Sequence, residues 1–179
     1  PFGKAKCNYC DFYSFAANGN LIASYTQRVT EDIIKWGVRI AHPIDSLYLG
    51  GGTPSLLGGE NIEKIISAAK NSFGFINPEI TLECNPADDL KDTLKCAAMA
   101  GVNRLSIGVQ SGNEDELKML GRRHILYDAV RTVCDARSVG INNISVDLMI
   151  GLPESSIEKL QKSIDFVCSL EPKHISVYI

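Results

Sequence analysis

Apolar residues recur along the chain with two periods, and segments of one kind alternate with segments of the other. Ile22, Tyr25, Val29, Ile33 and Trp36 are spaced to lie on one face of a helix, with Asn20 as its cap. A second helical face runs through Ile62, Ile65, Ile66, Ala69 and Phe73. A third passes through Leu90, Leu94, Ala97 and Ala98, with Asp88 placed to cap it and Gly101 to close it. Ala129, Val130, Val133 and Val139 form a further face, stopped by Gly140, and Ile157, Leu160, Ile164 and Val167 another, stopped by Pro172. Asn113 with Glu116, and Ser155 with Glu158, have the spacing of capping boxes. Between these helices, residues 46–49, 79–84, 104–110, 144–150 and 175–179 read as short strands.

Strands recurring at intervals of about thirty residues predict βαβ units and a parallel sheet. A barrel and a doubly wound sheet both satisfy that spacing. No internal sequence repeat, low-complexity tract or domain boundary interrupts residues 1–179, which read as one domain. Pro1-Phe2 resembles the exit of a further strand, and Ile179 falls within one, so the chain is expected to be a fragment continuing at both ends.

Composition narrows the class. With 45% hydrophobic residues, 22% charged residues and a net charge of −3, the chain is ordinary globular protein without the basic excess of a nucleic-acid binder. No apolar run is long enough to cross a bilayer, and no signal peptide opens the chain. The six cysteines are too scattered for a secreted disulfide scaffold, which points to the cytoplasm. Cys84, Cys96, Cys134 and Cys168 fall in helices or strands and read as small buried hydrophobes.

Strands of a parallel sheet covered on both faces should be nearly all apolar, so polar residues near their exits are ligand candidates. The Gly51-Gly52-Thr53 turn lets a ligand approach backbone atoms closely, or serves simply as a tight connection. Glu83 suits an ammonium, or a neighbouring helix N-terminus. Asp147, taken as buried, needs a partner from the protein or a ligand. Gln110 ends its strand with an amide, and Arg122 could grip a carboxylate bidentately or point into water. Together these groups suit an amino acid joined to a nucleoside.

Cys7 and Cys10 form a CxxC pair on a Lys-bearing loop. Such a pair suits a metal or cluster, a zinc half-site, a redox disulfide or two free thiols. KCNYCDF, LYLGGGTPSLL, TLECNP, GVNRLSIGVQS, LGRRH and ISVDLMIGLP, taken as a set, resemble radical S-adenosylmethionine (SAM) proteins. The branch they resemble is that of oxygen-independent coproporphyrinogen III oxidase and its haem-chaperone relatives. The resemblance covers essentially the whole chain and implies a partial (β/α)₆ barrel. It implies that Cys7 and Cys10 bind a [4Fe–4S] cluster and that Tyr9 lies near the SAM adenine. It places Gly51, Gly52, Thr53 and Glu83 at the methionyl ammonium, Gln110 and Asp147 at the ribose, and Arg122 at the carboxylate. An electron donor would be a partner.

Two positions depart from the pattern. Gly3 stands where the family's first cluster cysteine is expected, which leaves two thiolates for the cluster. Phe12 stands where the decarboxylases carry a further cysteine. The resemblance therefore implies haem binding and transfer first, with oxidative decarboxylation of a porphyrinogen as the alternative. A clusterless SAM-binding barrel is the third reading, and Gly3 motivates it.

Overall fold

Helices and strands alternate as the periodicity predicts. A computed structural model describes residues 1–16, 19–40 and 42–179. Helix α1 spans Gly19–Arg39, strand β1 Ile44–Leu49, a short 3-10 turn Pro54–Leu57, α2 Gly59–Phe73 and β2 Phe75–Cys84. These are followed by α3 Lys91–Ala100, β3 Arg104–Gln110, α4 Glu114–Met119, α5 Leu126–Ser138, β4 Asn143–Met149, α6 Ile157–Ser169 and β5 His174–Tyr178. The five strands form one parallel sheet in the order β1-β2-β3-β4-β5. A doubly wound sheet reverses its strand order at a switch point. This sheet never reverses, so it is singly wound, as a barrel wall is.

Its strands are not nearly all apolar. On β3 to β5, polar or small residues alternate with aliphatic ones: Arg104, Ser106, Gly108; Asn143, Ser145, Asp147; His174, Ser176. Parallel register aligns Glu83 with Ser106, Ser145 and His174, and Gly108 with Asp147 and Ser176. Side chains in register share a face, so one face of the half-barrel is polar. The other carries Ile80, Leu82, Leu105, Ile107, Val109, Ile144, Val146 and Leu148, all buried in one core with Ile62, Ile66, Leu94, Val133 and Val167 from the helices. Each large aliphatic side chain buried there contributes about 2–3 kcal/mol. Glu83 and Asp147 are therefore not isolated interruptions of an apolar strand but members of that polar face.

Several terminal signals resolve differently from their sequence reading. Helix α1 begins at Gly19, so Asn20 lies inside its first turn. Ile22, Tyr25, Val29 and Ile33 pack on the core, but Trp36 remains exposed beneath the Arg39 guanidinium. Strand β2 starts before Glu79 because a register shift, with Asn77 at φ 44°, accommodates Pro78 inside it. Asp88 does not cap α3; it is buried and ion-paired to Lys4 at 2.8 Å and Arg123 at 3.6 Å. Cys134 and Cys168 are exposed and Cys96 half-buried, so only Cys84 of those four is a buried hydrophobe.

The anticipated box at Asn113 and Glu116 is a buried network instead. Glu116 accepts from Ser111 Oγ, from Asn113 Nδ2 and from Ser155 Oγ, while Asn113 Nδ2 also reaches Lys159 O on α6. A buried carboxylate requires such donors, and these fasten the loop after β3 to α6. Ser155 is thus spent on Glu116, and Ser156 caps α6 by accepting from Lys159 N. Ser156→Ala is expected to cost about 1 kcal/mol in urea unfolding, the usual value of an N-cap hydroxyl.

Candidate functional site

The first sixteen residues form a loop clamped across the C-terminal ends of the strands. Phe2 is buried and stacks edge-on against Phe15 and Tyr25 at 5.6 and 5.1 Å. Its carbonyl accepts from Thr53 N at 2.6 Å. Gly3 N donates to Phe15 O, Asn8 N to Leu120 O, and Asn8 Nδ2 to Met119 O at 2.8 Å. The glycine turn after β1 makes this docking possible, because a Cβ on Gly52 would lie 2.5 Å from Phe2 O and 3.0 Å from Phe2 N. Gly51 has φ +118°, which favours glycine for a separate reason.

Beneath the loop is a cavity of about 490 Å³, within the range that holds cofactor-sized ligands. Cys7, Tyr9, Cys10, Gly52, Thr53, Glu83, Gln110, Arg122 and Asp147 all line it. Gly51 does not line it but donates its N–H to Glu83 Oε2 at 2.9 Å. The sequence candidates thus converge, with Gly51 one step behind the wall. A larger groove of about 790 Å³ lies between α1 and α2, away from all of them.

The cavity holds charges of both signs. Glu83 accepts from Tyr48 Oη at 2.7 Å and from Gly51 N, so its acceptors are fixed in direction. Asp147 is half-buried and lies beside Ser176, its neighbour in register. Burial first, and then the nearby Glu83 carboxylate, push the Asp147 acid up to about 6. Burial, followed by Glu83, likewise raises the Tyr48 phenol, which stays a hydrogen-bond donor.

Arg122 reaches over β3, between the strands that carry Glu83 and Asp147. Its Nη2 donates to Gly108 O at 2.5 Å, its Nε to His124 Nδ1 at 3.3 Å, and its Nη1 makes long contacts to Tyr9 Oη at 3.4 Å and Cys7 Sγ at 3.7 Å. A guanidinium has five donors, so Nη1 is the end left to grip an incoming anion. The bulge at the end of β3, where Gln110 takes φ 75°, brings that buried amide to the cavity wall.

His124 was not among the sequence candidates. It is 2% exposed, and burial, then the adjacent Arg122 charge, lower its pKa to about 4, so it is neutral. With Nδ1 accepting from Arg122, Nε2 carries the proton and faces Val109 O at 3.1 Å. The string LGRRH contains it, but nothing in the spacing shows that the imidazole folds under the arginine. Tyr48 and Ser176 were missed for the same reason, since each is an ordinary polar strand residue until strand register places it beside a carboxylate.

Asp147 gives a pH prediction. A folded pKa raised above the ordinary carboxylate value contributes stability that is complete below pH ~4 and lost as pH rises through about 6. Asp147→Asn should therefore unfold about 1–2 kcal/mol later than wild type at pH 7.5, with no difference below pH 4. For a ligand hydroxyl that Asp147 accepts from, affinity should rise between pH 5 and 7 in wild type and stay flat in the variant, as read by calorimetry.

The donor set does not complete a three-thiolate cluster site. Among the described residues no group of three His, Cys, Asp or Glu side chains is placed to hold a metal. Cys84 lines the cavity, but burial, then Asp147, push its thiol far up and keep it protonated. Cys7 and Cys10 are the two free thiols on the loop.

The Radical SAM superfamily profile matches residues 1–167. The heme chaperone HemW of Bacillus subtilis is 34% identical over 99% of this chain and 48% of its own length, and that of Escherichia coli 36% identical over 99% and 48%. A Danio rerio protein described as mitochondrial radical S-adenosyl methionine domain-containing protein 1 is 37% identical over 99% of this chain and 40% of its own. The structure of coproporphyrinogen III oxidase from Escherichia coli superposes on all of this chain and 42% of that one, with a TM-score of 0.90 and 25% identity. The chain thus spans about half the length of the curated relatives it matches. No helix among the described residues is long and apolar enough to cross a membrane.

Proposed function

The chain belongs to the radical SAM superfamily, and from that premise we propose that its cavity binds S-adenosylmethionine in a protein of haem binding and transfer. The observation that carries the first part is a cavity that sets one guanidinium, over the middle strand, between two carboxylates on the flanking strands. Arg122 Nη1 takes the methionyl carboxylate, while Glu83 and the carbonyls of Gly51 and Gly52 take the ammonium. The N–H groups of Gly51 and Thr53 are turned to Glu83 and Phe2, which leaves this turn acceptors, the polarity an ammonium needs. Asp147 and Gln110 receive the ribose hydroxyls, and Tyr9 lies alongside the adenine. In this superfamily SAM supplies radical chemistry when it is paired with a reduced [4Fe–4S] cluster and an electron donor. With two free cysteines on the loop, this chain's residues support binding and orientation of SAM.

The haem assignment rests on the relatives named heme chaperone and on Phe12, which lines the cavity mouth where a thiol would favour the decarboxylase reading. Six unpaired cysteines support a cytoplasmic location. Haem titrated into the protein should give a shifted Soret band at one equivalent. Vinyl products from coproporphyrinogen III under anaerobic reducing conditions would replace this reading with the decarboxylase one.

A further inference from the structure

We propose that Asp88 is a positioning residue for the cavity: through Arg123 it holds the Arg122 guanidinium against the cysteine loop, and so sets how tightly the ligand carboxylate is bound. The proposal rests on the SAM reading of the cavity and concerns how Arg122 is aimed. Asp88 is 5% exposed, and its Oδ1 takes Lys4 Nζ at 2.8 Å and Arg123 Nη1 at 3.6 Å. Lys4 comes from the cysteine loop and Arg123 from the turn between α4 and α5, whereas Asp88 follows β2. Neither cation lines the cavity, but Gly3 and Ala5 on either side of Lys4 do, and so does Arg122 beside Arg123. One carboxylate outside the cavity thus ties together two segments that form its lining.

The contacts close into a ring. From Asp88 they pass to Arg123 and along the backbone to Arg122, whose Nη1 reaches Tyr9 Oη and Cys7 Sγ. The loop then returns through Lys4 to Asp88. The turn has a second hold at the same place: Arg131 on α5 donates to Asp88 O at 3.5 Å and pairs with Asp128 at 3.1 Å, and Asp128 accepts from Ile125 N. A buried carboxylate and its cations depend on one another. A neutral residue at position 88 would leave Lys4 and Arg123 facing each other with no negative charge between them. Arg123 would turn to solvent, and Arg122 would keep only Gly108 O and His124 as guides. The loop has other anchors, at Phe2 and Asn8, so Tyr9 and the glycine turn stay in place without Asp88. The effect therefore falls on the carboxylate end of the ligand.

The test is calorimetry of the full chain with SAM and with decarboxylated SAM. Asp88→Asn should weaken SAM about tenfold and decarboxylated SAM less than about twofold. Arg123→Met, which leaves Asp88 paired with Lys4 and the fold intact, should do the same. In an Arg122→Leu background Asp88→Asn should cost nothing further, because the group it aims is gone. Without ligand, the amides of residues 120–125, between α4 and α5, should exchange with deuterium about tenfold faster in Asp88→Asn and Arg123→Met than in wild type.

Equal losses for the two ligands would overturn the proposal, as would losses that add in the double variant, because Asp88 would then be a staple of the fold alone. Unchanged exchange in residues 120–125 would also overturn it. Wild type binding both ligands alike would refute the SAM reading of Arg122, and the proposal with it. The ligand-free exchange separates that result from a failure of the hold that Asp88 exerts.

Discussion

Gly52→Ala is expected to unseat the cysteine loop, losing about 3 kcal/mol of stability and weakening SAM binding about a hundredfold. The added methyl would sit 2.5 Å from Phe2 O, 3.0 Å from Phe2 N and 3.2 Å from Phe2 C. All three are backbone atoms, so no side-chain rotation relieves the clash. The strand of loop they belong to is fixed by the bond from Thr53 N and by the burial of Phe2. Either that bond breaks and Phe2 leaves the core, or the turn after β1 moves and takes Gly51 N away from Glu83. Both outcomes displace a wall of the cavity. Gly51→Ala is the control: its φ of +118° strains a Cβ, but nothing lies within 4 Å, so it should cost about 1 kcal/mol and leave the loop docked. Urea unfolding and calorimetry with SAM, run on both variants, separate the two glycines.

Arg122→Leu is expected to weaken SAM about a hundredfold, roughly 3 kcal/mol, the scale of a charge-assisted hydrogen bond pair in a sheltered site. The informative comparison is with decarboxylated SAM, which keeps the ammonium, ribose and adenine. Wild type should prefer SAM strongly, whereas the variant should bind the two ligands alike. Arg122→Lys keeps the charge but loses the fork that spans Gly108 O and His124, and should recover only part of the affinity. Equal losses for both ligands in Arg122→Leu would reduce the arginine to a brace for Tyr9 and Cys7.

Much of this arrangement could be read along the chain, and the parts that could not share a physical cause. Element order followed from the switching of hydrophobic period, and the bounds of β3 coincide with the strand read at residues 104–110. The candidates at strand exits converged because a parallel sheet delivers every such exit to the same rim. What misled was the assumption of a sheet apolar on both faces. The strict alternation of Arg104-Leu-Ser-Ile and of Asn143-Ile-Ser-Val-Asp-Leu already described a wall with one wet side.

Caps were misplaced where a second acceptor competed for the same side chain. Asp88 is taken by Lys4 from 84 residues away in sequence, and Ser155 by Glu116. Such long-range partners leave no local mark. The same holds for His124, whose place under Arg122 depends on how the loop after α4 folds back along the exit of β3.

The account depends on one mouth of the sheet holding one sulfonium nucleotide in one orientation. A crystal structure of the chain grown with SAM tests this most directly. The expected density places the methionyl carboxylate against Arg122, the ammonium against Glu83 and the glycine turn, and the ribose against Asp147 and Gln110. Density for SAM in the α1–α2 groove lined by Thr26, Asn61 and Lys64, with the cavity under the cysteine loop left to solvent, would contradict it.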